Sequence, residues 1–132
     1  TLALMCDVIF AVDSAKIGDP HVALGLVAGD GGMLLSALGE LSVIRREAPD
    51  LVIIVCNDGS YGAEHVQFTN RALPPDLSMT APPDFAAMAR AAGLDAVTIS
   101  NAETLEAACT AIADRQGPLL IDLRLDPEKV FK

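Results

Sequence analysis

The chain has 132 residues, of which 52% are hydrophobic, and it carries a formal net charge of −9. This length predicts a single domain over residues 1–132 with room for one substantial core. The negative charge argues against nucleic acid or an anionic membrane as a partner, and no apolar run reaches the roughly 18 residues of a membrane span. Three widely spaced cysteines without metal-ligand spacing predict free thiols in a reducing cytoplasm.

Hydrophobic periodicity predicts a regular alternation of helices and strands along the chain. The predicted order is a helix (2–16), a strand (21–28), a helix (33–48), a strand (51–56), a long connection (57–82) with a short helix at 63–68, a helix (83–92), a strand (96–99), a helix (102–115) and a strand (119–125). In the first of these elements, residues 8–12 fit a strand equally well. Such alternation predicts an α/β fold, a three-layer doubly wound parallel sheet with helices on both faces. At the start of the last helix, Ser100 and Glu103 have the spacing of a capping box.

Two polar, glycine-rich clusters follow predicted strands. Residues 29–32 read Gly-Asp-Gly-Gly after the first strand, and residues 57–62 read Asn-Asp-Gly-Ser-Tyr-Gly after the second. Because ligands of open parallel sheets bind at the carboxyl ends of the strands, we expect the two clusters to form one site. Their composition suits a phosphate held partly by backbone N–H groups and partly through a hard metal ion.

Other interpretations of the clusters fit the residues less well. A dinucleotide fingerprint would need a third glycine after Gly31 and would not place the Asp30 carboxylate against a pyrophosphate. A Walker loop would need Gly-Lys-Ser/Thr, which the sequence lacks. Ordinary turns after two strands are the remaining alternative, and two such clusters on neighbouring βα units make it the weaker one.

The pair of clusters resembles the thiamine diphosphate signature, Gly-Asp-Gly followed one βα unit later by Asn-Asp-Gly. The similarity is to the C-terminal diphosphate-binding domain of the acetolactate synthase and 2-oxo-acid decarboxylase family. It extends to four other stretches, at 15–17 (Ala-Lys-Ile), 39–41 (Gly-Glu-Leu), 84–85 (Asp-Phe) and 117–122 (Gly-Pro-Leu-Leu-Ile-Asp). The resemblance implies a thiamine diphosphate-binding fold and a chain that is the C-terminal piece of a larger enzyme.

The resemblance also implies roles for individual residues. Asp30 would bind Mg²⁺, and Gly31 and Gly32 would donate backbone N–H groups to the diphosphate. Tyr61 and Gly62 would approach the phosphates. The cofactors implied are thiamine diphosphate and Mg²⁺.

The second metal ligand is either Asp58 or Asn57. Counting forward from Asp30 favours Asn57, whereas anchoring on residues 40–41 or on residues 61–62 places Asp58 at the liganding position. Two anchors against one favour Asp58.

The choice of Asp58 requires one inserted residue between Gly32 and Gly39. The third protein ligand would then be the carbonyl of Ser60, and it would be that of Gly59 if Asn57 is the ligand.

No catalytic residue is assigned within the chain. The glutamate that activates the aminopyrimidine belongs, in the family, to a pyrimidine-binding domain normally presented by a neighbouring subunit, so we expect the isolated chain to be inactive and the enzyme to be a homodimer or homotetramer. The implied activity is acetolactate synthase-like carboligation; alternatives are a benzoylformate decarboxylase-like lyase and a non-catalytic domain of the same fold.

Of the two histidines, His21 is assigned a structural role, and His65 is a weaker functional candidate in the long connection.

Overall fold

The computed structural model describes residues 26–47 and 50–130. The helix predicted over 2–16 lies outside the described residues, and so does most of the strand predicted over 21–28, including His21.

The described strands form a single parallel sheet. They are β1 (Leu26–Gly29), β2 (Val52–Asn57), β3 (Asp95–Ile99) and β4 (Leu119–Arg124), in the spatial order β1-β2-β4-β3. The sheet is flanked by helices, which confirms the predicted α/β class. Gly29 at the end of β1 is paired with Cys56 near the end of β2, so both polar clusters leave the same edge of the sheet.

The helices connect these strands in the predicted alternation. They are α1 (Asp30–Gly32), α2 (Glu40–Glu47), α3 (Gly62–Asn70), α4 (Phe85–Ala91), α5 (Ala102–Asp114) and α6 (Pro127–Val130), with a π-turn at Met33–Ala37 and a 3₁₀ turn at Pro75–Ser78. The long connection predicted over 57–82 therefore contains α3 and the 3₁₀ turn. None of the described helices is long and apolar enough to cross a lipid bilayer.

The core lies on one face of β2. Burial alternates along this strand, and the Ile53 and Val55 side chains are completely buried. Phe85 and Ala89 of α4 are buried in the same cluster as these two residues. Because side chains alternate across a strand, Asn57 continues the buried row of Ile53 and Val55.

The helix predicted over 33–48 is not continuous. The Leu38 N–H donates to the Met33 carbonyl at 3.2 Å, a bond that spans five residues and defines the π-turn. A π-turn contains one residue more than an α-turn, and this one lies in the interval where an inserted residue is expected. Met33 at the start of the turn and Leu41 beyond it are both buried, whereas Leu35 within the turn is 74% exposed.

The predicted capping box at the start of α5 is wrong by one residue. Asn101 is the N-cap, and its Oδ1 accepts the Thr104 N–H at 2.9 Å. Thr104 Oγ1 in turn accepts the Asn101 N–H at 3.0 Å. Asn is as good an N-cap as Ser, and the Thr three residues later completes the reciprocal pair, so Ser100 and Glu103 do not form the box.

We expect deletion of Leu35 to be tolerated, because it converts the π-turn into an α-turn without rotating α2 against the core. The free energy of unfolding should change by less than about 1 kcal/mol, as for an exposed change. Deletion of Val43 within regular α2 is the matched control. It should cost more, since it turns the partly buried Ile44 away from the core. Urea denaturation followed by circular dichroism measures both, and equal losses would contradict the expectation.

Candidate functional site

The Asp30 carboxylate joins the two polar clusters. This residue follows β1 and is only 3% exposed. Its Oδ1 accepts the N–H of Gly31 at 2.7 Å, and its Oδ2 accepts those of Gly59 at 2.7 Å and Ser60 at 3.2 Å. The two clusters predicted to form one site are therefore in contact.

Burial raises the pKa of Asp30, and the nearby charge of Asp58 raises it further. The three backbone N–H bonds act in the opposite direction by stabilising the carboxylate. The Cys56 thiol responds to the same surroundings, since burial and then the charges of Asp58 and Asp30 raise its pKa. Asp30 and Asp58 thus form a region of concentrated negative charge, which a cation would relieve.

Asp58 uses one carboxylate oxygen to hold its own loop. Its Oδ1 accepts both the Ser60 N–H at 2.9 Å and the Ser60 hydroxyl at 2.7 Å. No donor among the described residues makes a hydrogen bond to Asp58 Oδ2 in the structure. The side chain is partly exposed.

Asn57 points the opposite way, into the core. The residue is 1% exposed, and its Nδ2 donates to the Pro83 carbonyl at 2.8 Å and to Asp122 Oδ1 at 2.9 Å. Its Oδ1 has no hydrogen-bond partner among the described residues. Of the two alternatives for second metal ligand, the geometry favours Asp58, and the assignment stays a prediction.

The loop after β2 is supported by the segment that follows the 3₁₀ turn. Tyr61 N–H donates to the Ser78 carbonyl at 2.8 Å, and Thr80 N–H donates to the Gly59 carbonyl at 2.7 Å. Gly59 has a φ of +71°, and a Cβ there would lie 3.2 Å from the Thr80 carbonyl oxygen. The site loop therefore needs glycine at position 59.

His65 belongs to this supporting structure. Its Nδ1 lies 3.0 Å from the hydroxyl of Ser78, which is 1% exposed and donates to the Pro75 carbonyl. The histidine therefore joins α3 to the 3₁₀ turn next to the site.

Gly31 packs against the ring of Tyr61. A Cβ on Gly31 would lie 2.8 Å from Tyr61 Cδ1 and 3.8 Å from the carbonyl oxygen of Ser60. A Cβ on Gly32 would meet nothing within 4 Å. The structure thus brings together Gly31, Ser60 and Tyr61, three of the residues that the sequence assigns to cofactor or metal binding.

The oxygen atoms at this site fit a hard divalent cation. Two carboxylates, Asp30 and Asp58, accept the same Ser60 N–H. Mg²⁺ prefers such ligands and commonly takes only one or two carboxylates, completing its octahedron with water and phosphate oxygens. The described residues contain no group of three or more His, Cys, Asp or Glu side chains arranged to hold a metal.

Two contributors were missed at the sequence level. The segment 78–80 gives no local signal, because its role depends on backbone pairing with the site loop. Asp122 does give one, as a carboxylate within the apolar run of β4; it is completely buried.

We expect Gly31→Ala to destabilise the protein by roughly 1–3 kcal/mol, the range for overpacking a well-packed position, because the new methyl group would clash with Tyr61. Gly32→Ala is the matched control and should be neutral or slightly stabilising, since Ala is the better helix former. Thermal unfolding of the ligand-free protein measures both. Tyr61→Ala removes the ring that the new methyl group would meet, so the double variant should regain part of the stability lost in Gly31→Ala. No restoration would contradict the proposed clash.

The raised pKa of Asp30 makes a prediction about pH. Because the pKa is higher folded than unfolded, this group favours folding below its unfolded value of 3.8, and that contribution is lost as pH rises through the folded pKa. Affinity for a cation should do the reverse and fall as pH decreases through the folded pKa, since the metal binds the carboxylate.

In a ¹³C NMR titration, Asp58→Asn should lower the Asp30 pKa, and the distant Asp114→Asn should leave it unchanged. Equal effects would contradict direct coupling of the two carboxylates.

Comparison with known proteins gives two kinds of relative. A putative acetolactate synthase large subunit (IlvB2) of Mycobacterium tuberculosis is 28% identical over 123 residues, covering 93% of this chain and 22% of that protein. A probable enoyl-CoA hydratase of Mycobacterium bovis is 36% identical over 81 residues, covering 60% of this chain and 30% of that protein. The chain thus spans less than a third of either relative. The hydratase similarity covers less of this chain than the acetolactate synthase similarity does.

A solved structure shares the fold. The thiamine diphosphate-dependent 4-hydroxybenzoylformate decarboxylase of Rhodococcus jostii RHA1 superposes with a TM-score of 0.64 at 25% identity, over 76% of this chain and 19% of that one. The family model described as "Thiamine pyrophosphate enzyme, C-terminal TPP binding domain" matches residues 10–123, which include both polar clusters. The chain therefore belongs to the family of C-terminal thiamine pyrophosphate-binding domains of thiamine pyrophosphate enzymes.

Proposed function

We propose that this chain binds the Mg²⁺-diphosphate end of thiamine diphosphate, as part of a cytoplasmic enzyme that decarboxylates a 2-oxo acid. The observation that carries the proposal is the convergence of the Asp30 and Asp58 carboxylates on the Ser60 N–H at the ends of two adjacent parallel strands. The family match supports thiamine diphosphate as the ligand, and the oxygen donors support Mg²⁺.

Each residue has a distinct task in this proposal. Asp30 is held rigidly by three backbone N–H groups, so its carboxylate needs no reorganisation to meet the cation. Asp58 offers its second oxygen, and Ser60 its carbonyl. Gly31 and Gly32 would donate backbone N–H groups to the diphosphate, and the space beside Gly32 is open for its approach. When bound, thiamine diphosphate supplies the carbanion-stabilising chemistry, while the protein supplies positioning and electrostatics.

An acetolactate synthase-like carboligase is the activity we favour, because the acetolactate synthase similarity covers 93% of the chain. A benzoylformate decarboxylase-like lyase is the second candidate, favoured by the superposition on the Rhodococcus jostii enzyme. A non-catalytic domain of the same fold would retain the site loop without turnover. Product analysis of the intact protein with a 2-oxo acid distinguishes the three: a carboligated hydroxy-oxo acid, an aldehyde, or neither.

The proposed partner is a pyrimidine-binding domain of the same enzyme from a neighbouring subunit, in a homodimer or homotetramer. Exposed apolar side chains near the site loop support a protein partner there. Leu77 of the 3₁₀ turn is 77% exposed, Leu73 is 46% exposed and Met79 is 37% exposed.

Asp58→Ala and Asn57→Ala should have crossed effects in the intact protein. Asp58→Ala should weaken Mg²⁺-dependent thiamine diphosphate binding by at least about 10–100-fold, the range that even outer-shell changes reach, with a smaller loss of stability than Asn57→Ala because Asp58 is partly exposed. Asn57→Ala should cost about 1–3 kcal/mol of stability, because buried acceptors lose their donor, with a smaller loss of affinity. Calorimetric titration of Mg²⁺ at fixed thiamine diphosphate, together with thermal unfolding, measures both. The reverse ranking of affinities would identify Asn57 as the ligand.

Competing ligands test the class of protein. The wild-type protein should be stabilised by thiamine diphosphate with Mg²⁺ and not by NAD, FMN or a short-chain enoyl-CoA. Stabilisation by NAD or FMN would support a dinucleotide- or flavin-binding module, and stabilisation by the enoyl-CoA would support a hydratase-like function. Either result without a response to thiamine diphosphate would contradict the proposal.

A further inference from the structure

We propose that Asp122 is a positioning residue for the metal-binding loop and that it acts through Asn57. Its carboxylate fixes the end of β2, and thereby the backbone from which Asp58 and Ser60 reach the cation. The effect on metal affinity rests on the proposed function; the effect on the loop does not.

Asp122 connects three elements from a fully buried position in β4. Its Oδ1 accepts from Asn57 Nδ2 at 2.9 Å at the end of β2. Its Oδ2 accepts the Phe85 N–H at 3.1 Å, at the start of α4, and pairs with Arg124 Nη2 at 2.8 Å. This single carboxylate therefore bonds to the strand that leads into the site, to a helix that covers the core and to its own strand.

The acceptor-only chemistry of a carboxylate determines which way the Asn57 amide faces. Both protons of Asn57 Nδ2 are used, one by Asp122 Oδ1 and one by the Pro83 carbonyl. Turning the amide over would place its oxygen against two acceptors. Asp122 and Pro83 thus hold Asn57 in one orientation, directed away from the site.

The backbone of Asn57 is held by the same strand. The Leu125 N–H donates to the Asn57 carbonyl at 2.9 Å, and Asn57 is paired with Arg124 in the register of β2 and β4. Since side chain and main chain are both fixed, the chain enters the 58–60 loop in a defined direction. That loop then places the Gly59 and Ser60 N–H groups on Asp30.

A contribution to stability does not by itself explain why a carboxylate occurs at position 122. A buried ion pair contributes little to stability compared with an apolar pair of similar volume, and the neighbours Leu120 and Ile121 show that β4 accommodates apolar side chains. A carboxylate at this position does what an apolar residue would not: it orients an amide and a helix N–H at once.

Asp122→Asn tests the proposal with little change of shape. One carboxylate oxygen becomes an N–H₂ group that faces either Asn57 Nδ2 or the pair Phe85 N–H and Arg124, so at least one hydrogen bond is lost. We expect hydrogen exchange at the Gly59 and Ser60 amides to accelerate about 10-fold or more, with α5 amides unchanged. The Mg²⁺ affinity measured at fixed thiamine diphosphate should fall about 10-fold. Asp95→Asn, which removes the same charge from an exposed site on β3, should change neither.

Arg124→Gln is the second variant, for the case that Asp122→Asn does not fold. Arg124 is 27% exposed in its side chain, so we expect folding, with a smaller acceleration at the same two amides. Unchanged exchange at Gly59 and Ser60 in a folded variant would overturn the proposal, as would a uniform acceleration of all slow amides. If wild type binds no Mg²⁺ with thiamine diphosphate, the proposed function fails, while the exchange result still decides the role of Asp122.

Discussion

The contact between Asp30 and the backbone of Gly59 and Ser60 is the interaction on which the site depends. It places a carboxylate from the end of β1 beneath a loop from the end of β2, and it does so at a position with almost no solvent exposure. Desolvation of the charge is offset in part by three N–H groups, which also hold the carboxylate in place. Without this contact the two glycine-rich clusters would be separate turns.

Much of the fold could be predicted because its signals are local. The β-branched run before Asn57 and the apolar run of β4 are short, unbroken and bounded by breakers, so their strands are unambiguous. The polar clusters were recognisable from glycine and carboxylate spacing. The opposite directions of Asn57 and Asp58 also had a signal, since Ile53, Val55 and Asn57 alternate in phase along β2. The supporting contacts from Ser78 and Thr80 had none, because they depend on a distant backbone segment.

The π-turn lies in the interval where the choice of Asp58 as second ligand requires one inserted residue. Its extra residue lies between the glycines of the first cluster and the Glu40–Glu47 helix, while the buried residues on either side still face the core. The choice of Asp58 makes the interval from Asp30 one residue longer than counting predicts, and a π-turn is a structure that can contain such a residue.

The loop that carries Asp58 is held by hydrogen bonds from the protein itself. Ser60 pairs with Met79, Gly59 with Thr80, and Asp58 with Ser60. The loop is thus ordered when the protein folds, and its conformational entropy is lost at that stage and not when a ligand binds. A site of this kind should bind its cation with little structural rearrangement. Substitutions that loosen the loop should therefore weaken cation binding even though every liganding atom is still present.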